Sequence, residues 1–351
     1  MFIINNEQLK QFYQECQKDK YIAIDTEFFW TTTYEPELCL IQLANDSQIY
    51  LIDPLQHNIN LNYLKKLLID KKIKKIFHSS SQDLRIFYNL FKIIPVNIFD
   101  TQVGVLPLGY ENSVSLKRIC NNFLNINLDK HLDQIDWRKR PLSRLQIAYA
   151  ENDVKHLKKL YDEIKSKLRK EKRMSWVNTH HKKLLDKNNY VNKEKNAWKK
   201  LKFIPKTRKE LFLLKKFSFL REKIAKKENI SPKEIISNSR IIKLSKSKDW
   251  KKYEFLENVS NKQLKIELKK VNFQNIKHDE KVIHDNQELI HQKVKNLQKI
   301  IKNKAETLNI HPSLIASKSE ITQIVLQKNV NHFVGWKRKF LSQTIKKIVF
   351  R

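Results

Sequence analysis

Asp25 and Glu27 stand two apart inside the apolar stretch YIAIDTEF, residues 21–28. A strand turns successive side chains to opposite faces, so both carboxylates leave on the same face. Acids in an apolar strand are costly unless they are paired or bound to a cation. Asp83, in HSSSQDL, falls in the first turn of an expected helix, where the macrodipole favours an ionised carboxylate. Tyr149 and Asp153 stand at i and i+4, sharing one helix face. They lie one residue off the stripe begun by Ala150 and Val154, about 100° round the helix and so on the shoulder of its buried face. Taken singly, each has an ordinary explanation: a strand-end pair facing solvent, a stabilised first turn, a half-buried tyrosine beside a solvated aspartate.

The elements that must carry these residues follow from hydrophobic period. Short apolar runs at 21–28, 38–44 and 48–53 predict three strands in succession. Residues 61–69 have leucines at helical spacing, 75–78 read as a strand, and Ser79–Ser81 offer an N-cap to a helix marked by Leu84, Phe87 and Phe91. A strand at 96–100 and a helix through Leu116, Ile119, Cys120 and Phe123 follow. One long helix, opened by Pro141 and Ser143, carries the stripe Ala150, Val154, Leu157, Tyr161, Ile164 and Leu168. This order predicts an α/β unit, a mixed sheet flanked by helices. Beyond residue 169 strand signals vanish and basic amphipathic helices take over.

Among these helices is an internal repeat. Residues 225–241 lie over 305–321 without a gap, with eight of 17 positions identical, including Asn229/Asn309, Pro232/Pro312 and Ser237/Ser317. The expected organisation is a unit at 1–170, a helical connector at 171–207, and two helical modules at 208–286 and 287–351.

Composition narrows the class. Of 351 residues only 3 are Gly and 8 Pro, with 40% hydrophobic, which excludes collagen, Gly-rich linkers and wholesale disorder. No apolar run approaches the ~18 residues of a membrane span, and MFIINNEQLK lacks the features of a signal peptide. Cys16, Cys39 and Cys120 are odd in number without a CxxC, so free thiols in a reducing cytoplasm are expected. The net charge of +33 points to a polyanionic partner. It is uneven: +5 over residues 1–170 and +28 over 171–351. A chain ending near Lys206 is therefore expected to keep a catalytic centre while holding nucleic acid more weakly.

The set of four acids and a tyrosine resembles the DEDDy 3′→5′ exonucleases, and the surrounding residues resemble ribonuclease D. Those stretches are DTEF (25–28), TYEPELCLIQL (33–43), LIDPL (51–55), the segment from His78 to Asp83, DTQ (100–102), LDK (128–130), DW (136–137) and RPL (140–142). Trp30 departs from the pattern, standing where many relatives carry a basic residue. Glu151 and Asn152 are also more polar than the small residues common there. The resemblance implies a ribonuclease H-like exonuclease domain followed by HRDC-like helical domains, and a 3′→5′ exoribonuclease that trims RNA 3′ ends by phosphodiester hydrolysis, with tRNA precursors the expected substrate and nucleoside 5′-monophosphates the product. No protein partner is evident in the sequence, and a monomer is expected. Four converging carboxylates would repel one another without divalent cations. Hard oxygen donors suit two ions of Mg²⁺ or Mn²⁺, and no Cys/His cluster argues for zinc. By the same resemblance, Asp25, Glu27 and Asp153 hold one ion and Asp25 with Asp83 the other. Tyr149 orients the attacking water, Phe28 packs against the terminal base, and His78 approaches the site. The alternatives are a structure-specific DNA 3′→5′ exonuclease and a non-catalytic nucleic-acid-binding scaffold.

Overall fold

The computed structural model describes residues 1–55, 59–128, 135–191, 194–201, 203, 205–247, 261–271, 287–331, 333–340 and 343–350. The first elements are β1 (Phe2–Ile3), α1 (Asn6–Cys16), β2 (Tyr21–Phe29), β3 (Glu37–Ala44), β4 (Ile49–Ile52), α2 (Asn62–Ile69), β5 (Lys74–Phe77), α3 (Ser81–Phe91) and β6 (Ile98–Asp100). After them come α4 (Thr101–Val105), α5 (Leu116–Leu124), α6 (Arg144–Lys155), α7 (Leu157–Lys170) and α8 (Met174–Leu184). The strands form one mixed sheet in the order β1-β4-β3-β2-β5-β6. β5 runs parallel to both β2 and β6, and β1 parallel to β4, whereas β3 and β4 pair antiparallel.

β2 is covered on both faces, which is why its sequence is apolar at successive positions. Ile22 and Ile24 enter a core with Leu9, Phe12, Leu64, Leu68, Leu84 and Phe87 from α1, α2 and α3. Ala23 enters another, with Ile119, Leu157, Leu160, Ile164 and Leu168 from α5 and α7. By alternation, Asp25 and Glu27 continue the Ala23 face, and Thr26 and Phe28 the opposite one.

Three features differ from the sequence expectation. β1 and α1 were not foreseen: β1 has two residues, and α1 buries only Leu9, Phe12 and Cys16 among many polar neighbours. The single long helix is two, broken at His156, where φ is −105° and ψ −4°. The apolar stripe runs through the break, so period alone cannot reveal it. Finally, Ser80 occupies the N-cap of α3 without capping it; its hydroxyl donates to Asp100 instead.

The chain divides into two compact units that cut across the expected boundaries. The first holds residues 1–28, 38–190 and 288–351. Its last segment contributes a further core, where Leu297, Ile301, Leu314, Ile324 and Val349 surround Leu106. Trp176 stacks on Trp336 with ring centroids 4.2 Å apart and planes at 7°. Arg173 Nη2 donates to Leu308 O at 2.8 Å, and His180 Nε2 to Leu314 O at 3.1 Å. Of the expected connector, residues 171–190 belong to this unit.

The second unit holds residues 29–37 and 191–287. It contains α9 (Arg208–Glu228), α10 (Pro232–Ile235), α11 (Asn238–Lys246) and α12 (Lys262–Lys269). Leu213, Phe217, Ile224, Ile241, Leu244 and Leu264 form its core. Tyr34 is buried in that core, and its hydroxyl donates to Glu222 at 3.0 Å.

The repeated segments share local geometry although they lie in different units. α9 and α13 (Gln287–Thr307) are each followed by an asparagine in the left-handed region, Asn229 at φ 50° and Asn309 at φ 49°. In both, the next amide closes a Schellman-type bond, Ile230 to Ala225 O and Ile310 to Ala305 O, each 3.0 Å. Proline then opens a short turn, and Ser237 and Ser317 cap α11 and α14 (Lys318–Gln327). α15 (Gln343–Phe350) ends the described chain.

Candidate metal centre

Three local devices deliver the candidate side chains. β2 brings Asp25 and Glu27 to its C-terminal end on one face. α6 starts with a capping box, Ser143 accepting from Gln146 N while Gln146 accepts from Ser143 N. Tyr149 and Asp153 lie one and two turns into it. The loop before α6 is pinned by Arg140: its Nη2 donates to Asp53 Oδ1 at 2.7 Å and to Cys39 O at 2.8 Å, and Nη1 to Trp137 O at 2.7 Å. Asp53 is 1% exposed in this pair, and Trp137 packs 6.1 Å from the Tyr149 ring.

Asp83 depends on the turn from β5 into α3. There Asp100 accepts from Ser79 N at 3.1 Å, and from Ser80 N and Oγ, both at 2.8 Å. It also accepts from Gln102 N, capping α4. Ser79 has φ 61°, a left-handed conformation that non-glycine residues adopt only when held. Asp100 is thus a post to which two element starts are tied.

The structure brings ligand oxygens of Asp25, Glu27 and Asp153 within 4.8 Å of one another. Asp83, 4% exposed, lies outside that trio and accepts the Thr26 hydroxyl through Oδ1. The trio opens into a cleft of about 300 Å³ that His78, Gln102 and Tyr149 also line, with residues 113–116 as a wall. His78 Nε2 donates to Val114 O at 3.1 Å, and Nδ1 lies 2.9 Å from the Thr101 hydroxyl. Both ring nitrogens are therefore engaged, and burial holds the imidazole below its ordinary pKa. Phe28 is half-buried and is not among the residues lining the cleft; alternation puts it on the Thr26 face. Trp30 is 37% exposed, with its indole N–H donating to Tyr34 O at 3.1 Å. Of the LDK stretch, Asp129 and Lys130 lie outside the described residues.

The electrostatics fit a cation site. Burial raises Asp25 well above the usual carboxylate range, and Asp83, Asp153 and Glu27 add to it. Glu27 is raised by burial and then by Asp153 and Asp83. Asp83 is pushed up to about 7 by burial against the lowering bond from Thr26. Asp153 is pushed up to about 7 by burial against the bond from Tyr149. Tyr149 itself is raised by burial and by the three acids, so its phenol stays protonated at neutral pH and donates to Asp153. An all-oxygen donor set whose negative charge is this strained suits a hard divalent cation.

Sequence reasoning found the acids and the tyrosine but not the posts that hold them. Asp53, Arg140, Asp100 and Trp137 stood only inside quoted stretches. An acid before proline at 53 and an arginine before proline at 140 were visible, but nothing in the order of residues pairs positions 87 apart.

Comparison with known proteins identifies the family. A family described as 3′-5′ exonuclease matches residues 1–169. Ribonuclease D of Bartonella henselae is 31% identical over 344 residues, covering 92% of this chain and 83% of that protein. Ribonuclease D of Sphingobium indicum is 34% identical over 228 residues, 65% of this chain and 59% of that protein. Among solved structures, RNase D of Escherichia coli aligns over 99% of this chain and 98% of its own with a TM-score of 0.81 at 22% identity, which shows a shared fold. The chain belongs to the ribonuclease D family of 3′→5′ exoribonucleases.

Proposed function

We propose that this exoribonuclease trims precursor tRNA by hydrolysing its terminal phosphodiester at a two-cation centre and releasing nucleoside 5′-monophosphates. The observation that carries the reading is the meeting of Asp25, Glu27 and Asp153 within 4.8 Å, with Asp83 near enough to raise Asp25. Asp25, Glu27 and Asp153 would hold one cation, and Asp25 with Asp83 the other. When bound, Mg²⁺ or Mn²⁺ would neutralise the acids, polarise the phosphate and lower the pKa of water. Tyr149, held protonated, orients the attacking water rather than removing its proton. His78, engaged at both nitrogens, serves as cleft wall and not as acid or base. The basic helical segments with their repeated geometry are the HRDC-like modules that hold the body of the RNA.

The test compares end-labelled precursor tRNA with DNA of the same sequence, in Mg²⁺ and in chelator. RNA should be shortened from its 3′ end and chelator should stop the reaction. Asp25→Asn should abolish cleavage while RNA binding persists, because an amide cannot supply the charge the cations require. A rate unchanged in chelator would overturn the two-cation reading.

A further inference from the structure

β2 presents its two acids on one face and Thr26, between them, on the other. Thr26 is 4% exposed and does not pack as a plain core residue: its hydroxyl donates to Asp83 Oδ1 across 57 residues of sequence. A β-branched side chain has few χ1 choices, so the strand backbone itself aims that hydroxyl. The buried Asp83 carboxylate also takes backbone hydrogen bonds from Thr26 and from Asp83 itself, and among the described residues the Thr26 hydroxyl is the one side chain that joins them. The Thr26 hydroxyl meets the Oδ1 side of that carboxylate, and Asp83 is close enough to Asp25 to raise it.

We propose that Thr26 is a positioning residue for the cation centre: its hydroxyl holds the Asp83 carboxylate, through Oδ1, in place for the site shared with Asp25. One strand then organises all of the chemistry from its side of the cleft, presenting Asp25 and Glu27 directly and orienting Asp83 through Thr26. This inference rests on the two-cation reading above.

The experiment uses the full chain in three forms: wild type, Thr26→Val, which keeps the shape and loses the donor, and Thr26→Ser, which keeps the donor. Mn²⁺ binding is measured by calorimetry without RNA, and single-turnover cleavage across a Mg²⁺ series. Losing an outer hydrogen bond to a metal ligand costs roughly 10–100-fold in metal affinity or activity. The valine form should bind Mn²⁺ more weakly by that order and need correspondingly more Mg²⁺ for half its maximal rate, with RNA affinity unchanged. The serine form should return both to the wild-type values. Should metal-free melting show the valine form unfolded, Thr26→Ala is measured against the same expectations. A valine form that binds Mn²⁺ as wild type does overturns the inference, as does a serine form that fails with it, which would place the effect in methyl packing. If wild type itself bound no divalent ion and kept its rate in chelator, the two-cation reading would fall and this inference with it.

Discussion

Asp83 and Asp153, each raised to about 7, make the centre a proton reservoir when no cation is bound. Their unfolded counterparts titrate near ~3.9. Between those values these two groups hold protons that the unfolded chain has released, so their contribution to stability falls as pH rises through about 7. His78, His156, His180 and His181, all lowered by burial, act in the opposite sense. The acid is therefore read as a difference: between about pH 5 and about pH 8 metal-free wild type should lose more melting temperature than Asp153→Asn. Saturating Mg²⁺ should reverse the trend, since the ions bind deprotonated acids. Thermal melts of both proteins across pH, with and without Mg²⁺, check this. Tyr149→Phe removes only a hydroxyl; single-turnover cleavage at saturating Mg²⁺ should slow by ~10²–10⁴. At this scale the acids were legible because chemistry leaves a local mark: two acids in an apolar strand, a pair at i and i+4. Thr26 was not, because a threonine in a strand is ordinary until its partner is known.

α6 depends on the Arg140–Asp53 pair for its starting position, and the pair is nearly out of water, with Arg140 17% and Asp53 1% exposed. Arg140→Ala would leave an uncompensated buried carboxylate at a cost of about 3–5 kcal/mol. The urea midpoint should fall by the matching amount, and cleavage should fall with it as α6 loosens. Strands β2 to β6 and helices α2, α3 and α5 were legible to within a few residues, because period and burial agree in each. The split at His156 was hidden by a stripe that continues through it, and α1 by the polar residues around Leu9, Phe12 and Cys16. The turn at Ser79–Ser80 read as a cap because serines usually cap; Ser80 instead has helical backbone, φ −62° and ψ −2°, and its hydroxyl is turned away to donate to the buried Asp100.

For the whole molecule, the charge step from +5 to +28 marks where phosphate is expected to be held, but it does not mark where the fold divides. A chain ending near Lys206 would lose residues 288–350 from the first unit and uncover the core around Leu106, so its activity would report folding as much as RNA binding. Substitution serves better. Lys216, Lys223 and Lys227 are exposed on α9, and replacing all three with Gln should make the log K against log[salt] slope shallower by about 0.7 for each lysine that meets phosphate. Cleavage at saturating RNA should be unchanged, and an unaltered slope would place the contacts elsewhere. The same division sets the order in which the enzyme can mature. Every proposed catalytic residue has been translated by position 153, yet the unit that contains them is completed by residues 288–350. At ~5–20 residues per second, a ribosome takes roughly ten to forty seconds to cover that interval. A prematurely terminated chain thus carries the whole set of acids without the body that completes their unit, which makes it prey for proteases before it can become a stray consumer of RNA.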